Sequence, residues 1–310
     1  MNSIDPEEIF KNSASQHVKT SARKTIHSHK WYRGTFEGIS QHVPGRFALV
    51  PFKHEGMTNP LYHTVINDVG LPLSIVSSKS YALIDHCVVV DSLARSLKEL
   101  GRDISTYPAE MYVGDGGCKF GLRVVLSDIA LDPGDGYPVA GRVEILNSVD
   151  RSIPFRLNMG HFRLVCSNGL MMWKSTVDLL ALHIKGRLDK DKVDGALAEG
   201  LKQLPRKGDS YKALYNTRIP PKFTGDLLES IQKVWGKPEA EEINQAWTHG
   251  VYRKAQVPGV NIPAETLWDL YSALTWISGR SMNLASQLKT SEAAHRILSE
   301  VLTAHGISLN

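Results

Sequence analysis

The stretch from residue 142 to 172 constrains the fold most, because apolar and polar side chains alternate there with the period of a half-buried strand. Within residues 155–159 the odd positions are apolar and fall on one side of an extended chain, while Arg156 and Asn158 fall on the other. The same alternation predicts one strand upstream and one downstream, with the apolar positions Val143 and Ile145, and Phe162, Leu164 and Cys166. The polar sides of these three strands carry one arginine each: Arg142, Arg156 and Arg163. We therefore predict an antiparallel sheet with one apolar face and one arginine-bearing face.

The order of predicted elements defines the fold class. Strands are predicted at residues 47–53, 73–77, 111–113, 119–126, 142–146, 154–159 and 162–166, with one helix at 84–100. The glycine-rich segments 114–117 and 132–136 are predicted turns. Helices follow at residues 170–184, 189–204, 225–235, 238–247, 263–276 and 291–305, with a loop between Pro205 and Pro220. Strands followed by helices predict an α+β fold, with a mainly antiparallel sheet in the first half and a helical C-terminal half.

The chain divides into three predicted regions. Residues 1–45 show little periodicity and much positive charge, which predicts a basic N-terminal arm. Residues 46–184 are predicted to form the antiparallel sheet region with one or two helices. Residues 185–310 are predicted to form a helical region that packs with the sheet as one domain.

The composition is that of a globular protein, with 42% hydrophobic and 22% charged residues. No apolar run approaches the roughly eighteen residues of a membrane span, so no membrane association is predicted. The polar N-terminus lacks the layout of a signal peptide, which predicts a cytoplasmic location. Cys87, Cys118 and Cys166 are few and widely spaced, which predicts reduced core residues and not a disulfide or zinc framework.

Positive charge is concentrated in two segments, although the formal net charge is only +4. Residues 11–53 contain eight basic residues against Glu37, and residues 202–222 contain six against Asp209. Both segments interleave aromatic residues, a combination that neutralises phosphates and stacks on unpaired bases. The candidate contacts are Lys19, Arg23, Lys24, Lys30, Trp31 and Arg33 in the first segment, and Lys202, Arg206, Lys207, Tyr211 and Lys212 in the second. The alternative is that both segments are solvated surfaces whose rings turn into the core.

No set of residues requires catalysis or a metal ion. Residues 114–117 lack the Lys-Ser pair and the following helix of a phosphate loop, and the histidines among residues 27–63 lack the spacing of a metal site. Cys166 near His161 lies on an apolar side, where a thiol acts as a small hydrophobe. Ser148, Asp150 and Ser152 are predicted to cap their own turn. We therefore predict no catalytic residue, no metal and no cofactor.

Three short motifs carry a family resemblance. Asn147-Ser148-x-Asp150-x-Ser152 followed by residues 162–168 is similar to the signature of a phage and plasmid protein family, the domain of unknown function 932. Residues 49–52 and 266–275 agree with it, so the resemblance spans roughly residues 45 to 280. The family carries no settled activity. Val149 and Arg151 stand where the family pattern has a histidine and a glycine, so the resemblance implies no catalytic histidine in this turn.

The favoured hypothesis is sequence-independent binding of nucleic acid, specifically single-stranded DNA, in replication, recombination or strand annealing. Arg142, Arg156 and Arg163 would line the strand path of a homo-oligomer; DNA and RNA fit the same pattern. A second hypothesis is an interaction protein that engages a host enzyme or defence complex and is anchored by tryptophans of the C-terminal helices. A third is a nucleic-acid hydrolase, which would need converging carboxylates from Glu110, Asp115, Asp128, Asp132 and Asp135.

Overall fold

The computed structural model describes residues 29–163, 171–278 and 284–308. The strands are β1 (Lys30–Thr35), β2 (Ala48–His54), β3 (Met57–Ile66), β4 (Pro72–Ser77), β5 (Pro108–Gly114), β6 (Lys119–Leu131), β7 (Val139–Ser148), β8 (Phe155–Arg163), β9 (Met171–Ala181), β10 (Val251–Tyr252) and β11 (Ala255–Gln256). The α-helices are α1 (Phe36–Ser40), α2 (His86–Glu99), α3 (Lys190–Gln203), α4 (Gly208–Asn216), α5 (Phe223–Trp235), α6 (Lys237–His249), α7 (Leu267–Ser278) and α8 (Leu284–Ala304). Antiparallel sheets occupy the first half and helices most of the second, so the predicted α+β class is confirmed.

Six strands form the main sheet in the order β1-β5-β6-β7-β8-β9, and all neighbours are antiparallel. The turn between β5 and β6 places Gly116 and Gly117 at φ 66° and 94°, a region that glycine adopts without strain. This confirms the hairpin turn predicted at residues 114–117. In the turn before β7, the backbone N–H groups of Gly134 and Gly136 donate to Asp132 Oδ1 at 2.8 and 3.2 Å, which confirms the second predicted turn.

The apolar face of the main sheet is covered by α2 and α3. The strand register aligns its apolar positions, with Met111 opposite Leu122 and Leu122 opposite Ile145. The two helices contribute leucines to the same buried core: Leu93, Leu97, Leu197 and Leu201. Burying each leucine contributes about 2 kcal/mol, so this packing fixes which face of the sheet points away from the helices.

A small sheet of β2, β3 and β4 packs beside the main one. Val65 and Val76 face inward and share a core with Phe47, Tyr81 and Val149. The opposite side of the small sheet keeps apolar side chains exposed. They include Tyr62 and Ile75, and Met57, Leu61, Val69 and Leu71 are exposed elsewhere in the small sheet and its β3–β4 turn.

The helical region forms a second large core that also includes Val139 of β7, so these helices pack directly against the main sheet. Trp247, Trp268 and Trp276 are buried in it. The carboxylate of Asp269 is buried beneath the start of α7 and accepts hydrogen bonds from the backbone N–H groups of Asn261, Glu265 and Thr266 at 2.9–3.1 Å. A buried charge needs such donors to offset its lost hydration.

Two predictions of secondary structure are wrong, one of a helix and one of a loop. Residues 170–184 were expected to be helical, but residues 171–181 form β9, in which Val177 and Leu179 pack on the sheet core. Pairing with β8 satisfies the backbone N–H and C=O groups of this segment within the sheet. The expected loop after Pro205 contains α4, because Tyr211 and Leu214 bury their side chains at helical spacing.

The predicted N-terminal boundary is also wrong. Among the described residues, β1 begins at Lys30 and pairs with β5, and α1 follows it directly. The part of the expected arm from residue 30 to 40 therefore belongs to the main sheet and its flanking helix. The strand β3 was missed altogether, because polar residues and Pro60 interrupt its alternation.

Candidate nucleic-acid interface

The outer face is the side of the main sheet that points away from α2 and α3. Directly paired residues in antiparallel strands point to the same side, so the strand register lines up one position from each strand. One such line crosses all six strands, and we call it the charged row: Arg33, Glu110, Arg123, Glu144, Asn158 and Asp178. A second line, two residues along each strand and roughly 7 Å away, is the aromatic row: Trp31, Tyr112, Gly121, Leu146, Arg156 and Leu180.

The aromatic row begins with three rings at the β1 edge. Trp31 is 55% exposed, and its ring centroid lies 5.2 Å from that of Tyr112. Tyr112 stacks on His29 with centroids 5.6 Å apart, and the Tyr112 hydroxyl lies 2.6 Å from His29 Nδ1. A side chain at Gly114 would collide with the Tyr112 hydroxyl, so glycine is what lets this ring lie flat along the strand. The arrangement offers a partly exposed ring surface.

The charged row is a ladder of ion pairs. Arg33 donates from Nε and Nη2 to Glu110 Oε1, at 2.9 and 2.8 Å. Arg123 lies between two carboxylates, with Nη1 3.5 Å from Glu110 Oε2 and Nε 3.0 Å from Glu144 Oε1. Arg142, two residues before Glu144 on β7, donates from Nη2 to the same Glu144 oxygen at 2.8 Å. The side chains of Arg33 and Arg123 are 40% and 27% exposed, whereas that of Glu110 is 5% exposed.

The prediction that Arg142 projects into solvent is wrong. It lies on the outer face, but it is 3% exposed, and its guanidinium is paired with Glu144. Burial lowers the pKa of its guanidinium to about 10, and Glu144 opposes that shift. Arg142 is therefore a structural partner of Glu144 and not an accessible phosphate contact.

The prediction that three arginines share one face is also wrong. β8 keeps a continuous register with β7 through Gly160 and His161, although its pairing with β9 shifts there, so its alternation relative to β7 does not change phase. The backbone of position 163 pairs with Val139, and this register assigns the position to the side of Leu157 and Met159. The Arg163 side chain itself lies outside the described ones. Of the three predicted arginines, only Arg156 both lies on the outer face and has a described side chain that is half-buried.

The second basic segment does not join the outer face. Lys202 is exposed near the end of α3, which covers the opposite side of the sheet. Tyr211 is 1% exposed and makes edge-on contacts with His161 and Trp268, so its predicted stacking role is wrong. Burial strongly raises the pKa of its hydroxyl. Lys212 is exposed on α4, and the side chains of Arg206 and Lys207 lie outside the described ones.

Part of the first basic segment lies on the outer face. Trp31 and Arg33 lie on the outer face, as their pairing with Tyr112 and Glu110 requires. Lys30 is exposed but its position pairs with Val113, on the other side of the sheet. The candidates Lys19, Arg23 and Lys24 lie outside the described residues.

Three outer-face residues were missed from the sequence, namely Tyr112, Arg123 and Glu144, and Glu110 was named only as a carboxylate of the hydrolase hypothesis. The sequence signal that could have found them is the same alternation of polar and apolar residues, followed along the full length of each strand. Glu110 and Tyr112 alternate with Ala109 and Met111. Reading that strand as only three residues long hid the pattern.

The signature residues around Asn147 form hydrogen bonds that fix the end of β7 and the turn after it. The Asn147 side-chain amide donates to the Ile84 carbonyl at 2.8 Å and lies 2.9 Å from Nδ1 of the buried His86. Ser148 Oγ donates to the Ile153 carbonyl at 2.7 Å, and Ser152 donates from N and Oγ to Asp150 Oδ1 at 2.9 and 2.6 Å. The predicted turn-capping role is therefore confirmed.

The described thiols are poorly suited to nucleophilic chemistry. Burial raises the pKa of Cys118 to about 11 and also raises that of Cys87, which keeps both protonated near neutral pH. Cys166 lies outside the described residues. Within residues 29–163, 171–278 and 284–308, no group of three or more His, Cys, Asp or Glu side chains is placed to hold a metal ion.

These features define an α+β protein whose two-faced antiparallel sheet carries a helix-covered apolar side and an outer side of rings, arginines and carboxylates. The chain belongs to the family described as domain of unknown function 932, whose model matches residues 72–296, as the signature residues predicted. No curated protein and no solved structure shows a significant match to it. Across the described part of the chain, no helix combines the length and apolarity needed to cross a membrane.

Proposed function

We propose that the protein binds single-stranded DNA without sequence preference through the outer face of its main sheet, in strand annealing, replication or recombination of a mobile element. The observation that carries the proposal is the exposed Trp31 ring beside Tyr112, two residues from Arg33 on the same face. Rings that stack on unpaired bases, flanked by arginines that meet phosphates, are the two components of single-strand binding.

The spacing of the outer face suits an extended strand. Trp31 and Arg156 lie on the same row with four strand spacings between them, a distance of roughly 19 Å. Arg33 and Arg123 keep part of their surface accessible on the neighbouring row. A strand crossing the sheet could therefore meet rings at the β1 edge and guanidinium groups further on.

Stacking also explains why no sequence preference is expected. Every base presents a π-face, so contact with Trp31 does not discriminate between bases. Annealing brings two strands together, so the proposal includes a homo-oligomer that presents more than one outer face. Light scattering with and without oligonucleotide measures this association directly.

The test is a titration of a fluorescently labelled oligothymidylate, with single-stranded RNA and duplex DNA in parallel. Trp31→Ala is expected to weaken single-strand binding by about 5- to 150-fold, the loss of one stacked base. Tyr62→Ala is the matched control, because Tyr62 is also exposed but belongs to the small sheet. Absence of wild-type binding at low salt, or equal affinity of wild type and Trp31→Ala, contradicts the proposal.

A second candidate function is protein interaction, which is now favoured by a different surface from the one expected from the sequence. The tryptophans that were its expected anchor are buried in the helical core, apart from the half-buried Trp235. The exposed apolar side of the small sheet, with Tyr62 and Ile75, now favours it instead. Capture of a host protein that survives nuclease treatment, and is lost in Ile75→Asp, would support this alternative.

A further inference from the structure

We propose that Glu110 and Glu144 suppress phosphate-driven binding on the outer face and so make it selective for single strands over duplexes. This inference rests on the proposed function of the same face. A duplex hides its base faces, so it binds a protein surface mainly through its phosphates. A face whose arginines are already neutralised offers little to a duplex but still offers rings to unpaired bases.

The charges of the face are nearly balanced. The two rows together with Arg142 contain four arginines and three acidic residues, which leaves a formal excess of one positive charge. For one phosphate contact, single-strand affinity falls only about threefold between about 50 and 200 mM salt. A tenfold fall over the same range of salt would need about two phosphate contacts, which is more than this formal excess of one charge supports.

The carboxylate of Glu110 occupies the position a phosphate would take. Arg33 directs Nε and Nη2 at one Glu110 oxygen, and this edge of a guanidinium is the one that binds a phosphate with two parallel hydrogen bonds. A phosphate must therefore displace the carboxylate to gain the same contact. Glu110 is almost fully buried, so its backbone and packing hold it in place.

Glu144 likewise occupies the phosphate-binding groups of the arginines in the middle of the charged row. Its Oε1 accepts from Arg123 Nε at 3.0 Å and from Arg142 Nη2 at 2.8 Å. Arg123 thus has a carboxylate on each side, since Glu110 Oε2 lies 3.5 Å from its Nη1. Both accessible arginines on the charged row are paired before any ligand arrives.

The experiment compares wild type with Glu110→Gln, which keeps the shape and an acceptor for Arg33 but removes the negative charge. One added phosphate contact is expected to tighten binding at about 50 mM salt by about eightfold for oligothymidylate and about fifteenfold for a duplex of equal length. The slope of log affinity against log salt is expected to steepen by about 0.7 and 0.9, respectively. Trp31→Ala is expected to weaken single-strand binding only.

Three further variants keep the inference falsifiable. Glu55→Gln makes the same charge change at an exposed hairpin tip and is expected to change neither affinity nor slope. Arg33→Ala added to Glu110→Gln is expected to remove the gain. If Glu110→Gln does not fold, as judged by circular dichroism and a cooperative melt, Glu144→Gln carries the same test.

Unchanged duplex affinity and salt slope in a folded Glu110→Gln, with intact wild-type binding to oligothymidylate, would overturn this inference and leave the proposed function standing. Failure of wild type to bind any single strand would instead overturn the proposed function. Equal wild-type affinity for single strand and duplex would also contradict the selectivity proposed for the two carboxylates.

Discussion

Acidification is expected to unfold this protein through His86, which lies fully buried beside the family signature. Its Nε2 donates to the Gly117 carbonyl at 2.9 Å, and its Nδ1 accepts from the Asn147 amide, which is also held by the Ile84 carbonyl. Only the neutral ring satisfies both contacts, because a proton on Nδ1 would face the amide hydrogens of Asn147. The ring also stacks on Phe120 with centroids 4.9 Å apart.

Burial lowers the pKa of His86 to about 4, and the nearby His183 lowers it further while the Gly117 carbonyl opposes the shift. The unfolded chain binds the proton more tightly, with a pKa of about 6.5. The stabilising contribution is therefore complete above about pH 6.5 and is lost as the pH falls towards 4. The linkage relation gives a loss of about 2 kcal/mol between pH 7 and pH 5, and about 3 kcal/mol in full.

The assay is urea unfolding at pH 7 and pH 5, for wild type and His86→Gln. The variant is expected to be less stable at pH 7, but to lose about 2 kcal/mol less than wild type on acidification. His54→Gln is the control for the substitution itself, because His54 is exposed at the end of β2 in the small sheet. Equal pH dependence of wild type and His86→Gln would refute the assignment of a buried neutral ring.

Two other substitutions test the corrected roles of predicted contacts. Arg142→Ala leaves Glu144 short of a buried partner, so urea unfolding is expected to show a loss of about 3–5 kcal/mol; a loss below about 1 kcal/mol would argue against a structural ion pair. Tyr211→Ala empties a core position and is expected to cost about 3 kcal/mol or more in the same assay. The folded Tyr211→Ala protein should bind oligothymidylate as wild type does, and a selective loss of binding would restore the stacking role that its burial removes.

The spacing of apolar residues along the chain predicted the elements that bury one face and expose the other. The helix at residues 84–100 matches α2, because its apolar positions recur at helical spacing and Gly101 ends it with φ 71°. β9 was misread because its segment, Leu170 onwards, is apolar without clear alternation, and a short apolar run fits helix and strand equally. The partner strand β8 decides between them, and a partner is not visible locally.

The sequence by itself determined that this chain builds a two-faced antiparallel sheet followed by helices, and it identified the family, since both follow from residues close together along the chain. Only the tertiary structure decided which polar residues meet. Arg33 and Glu110 are 77 residues apart, yet the strand register places them side by side. The same register places Arg142 on the face of Glu144 and assigns position 163 to the helix-covered side. Strand order and register are collective properties of packing, so the charge and exposure of the outer face could not be read from alternation within one strand.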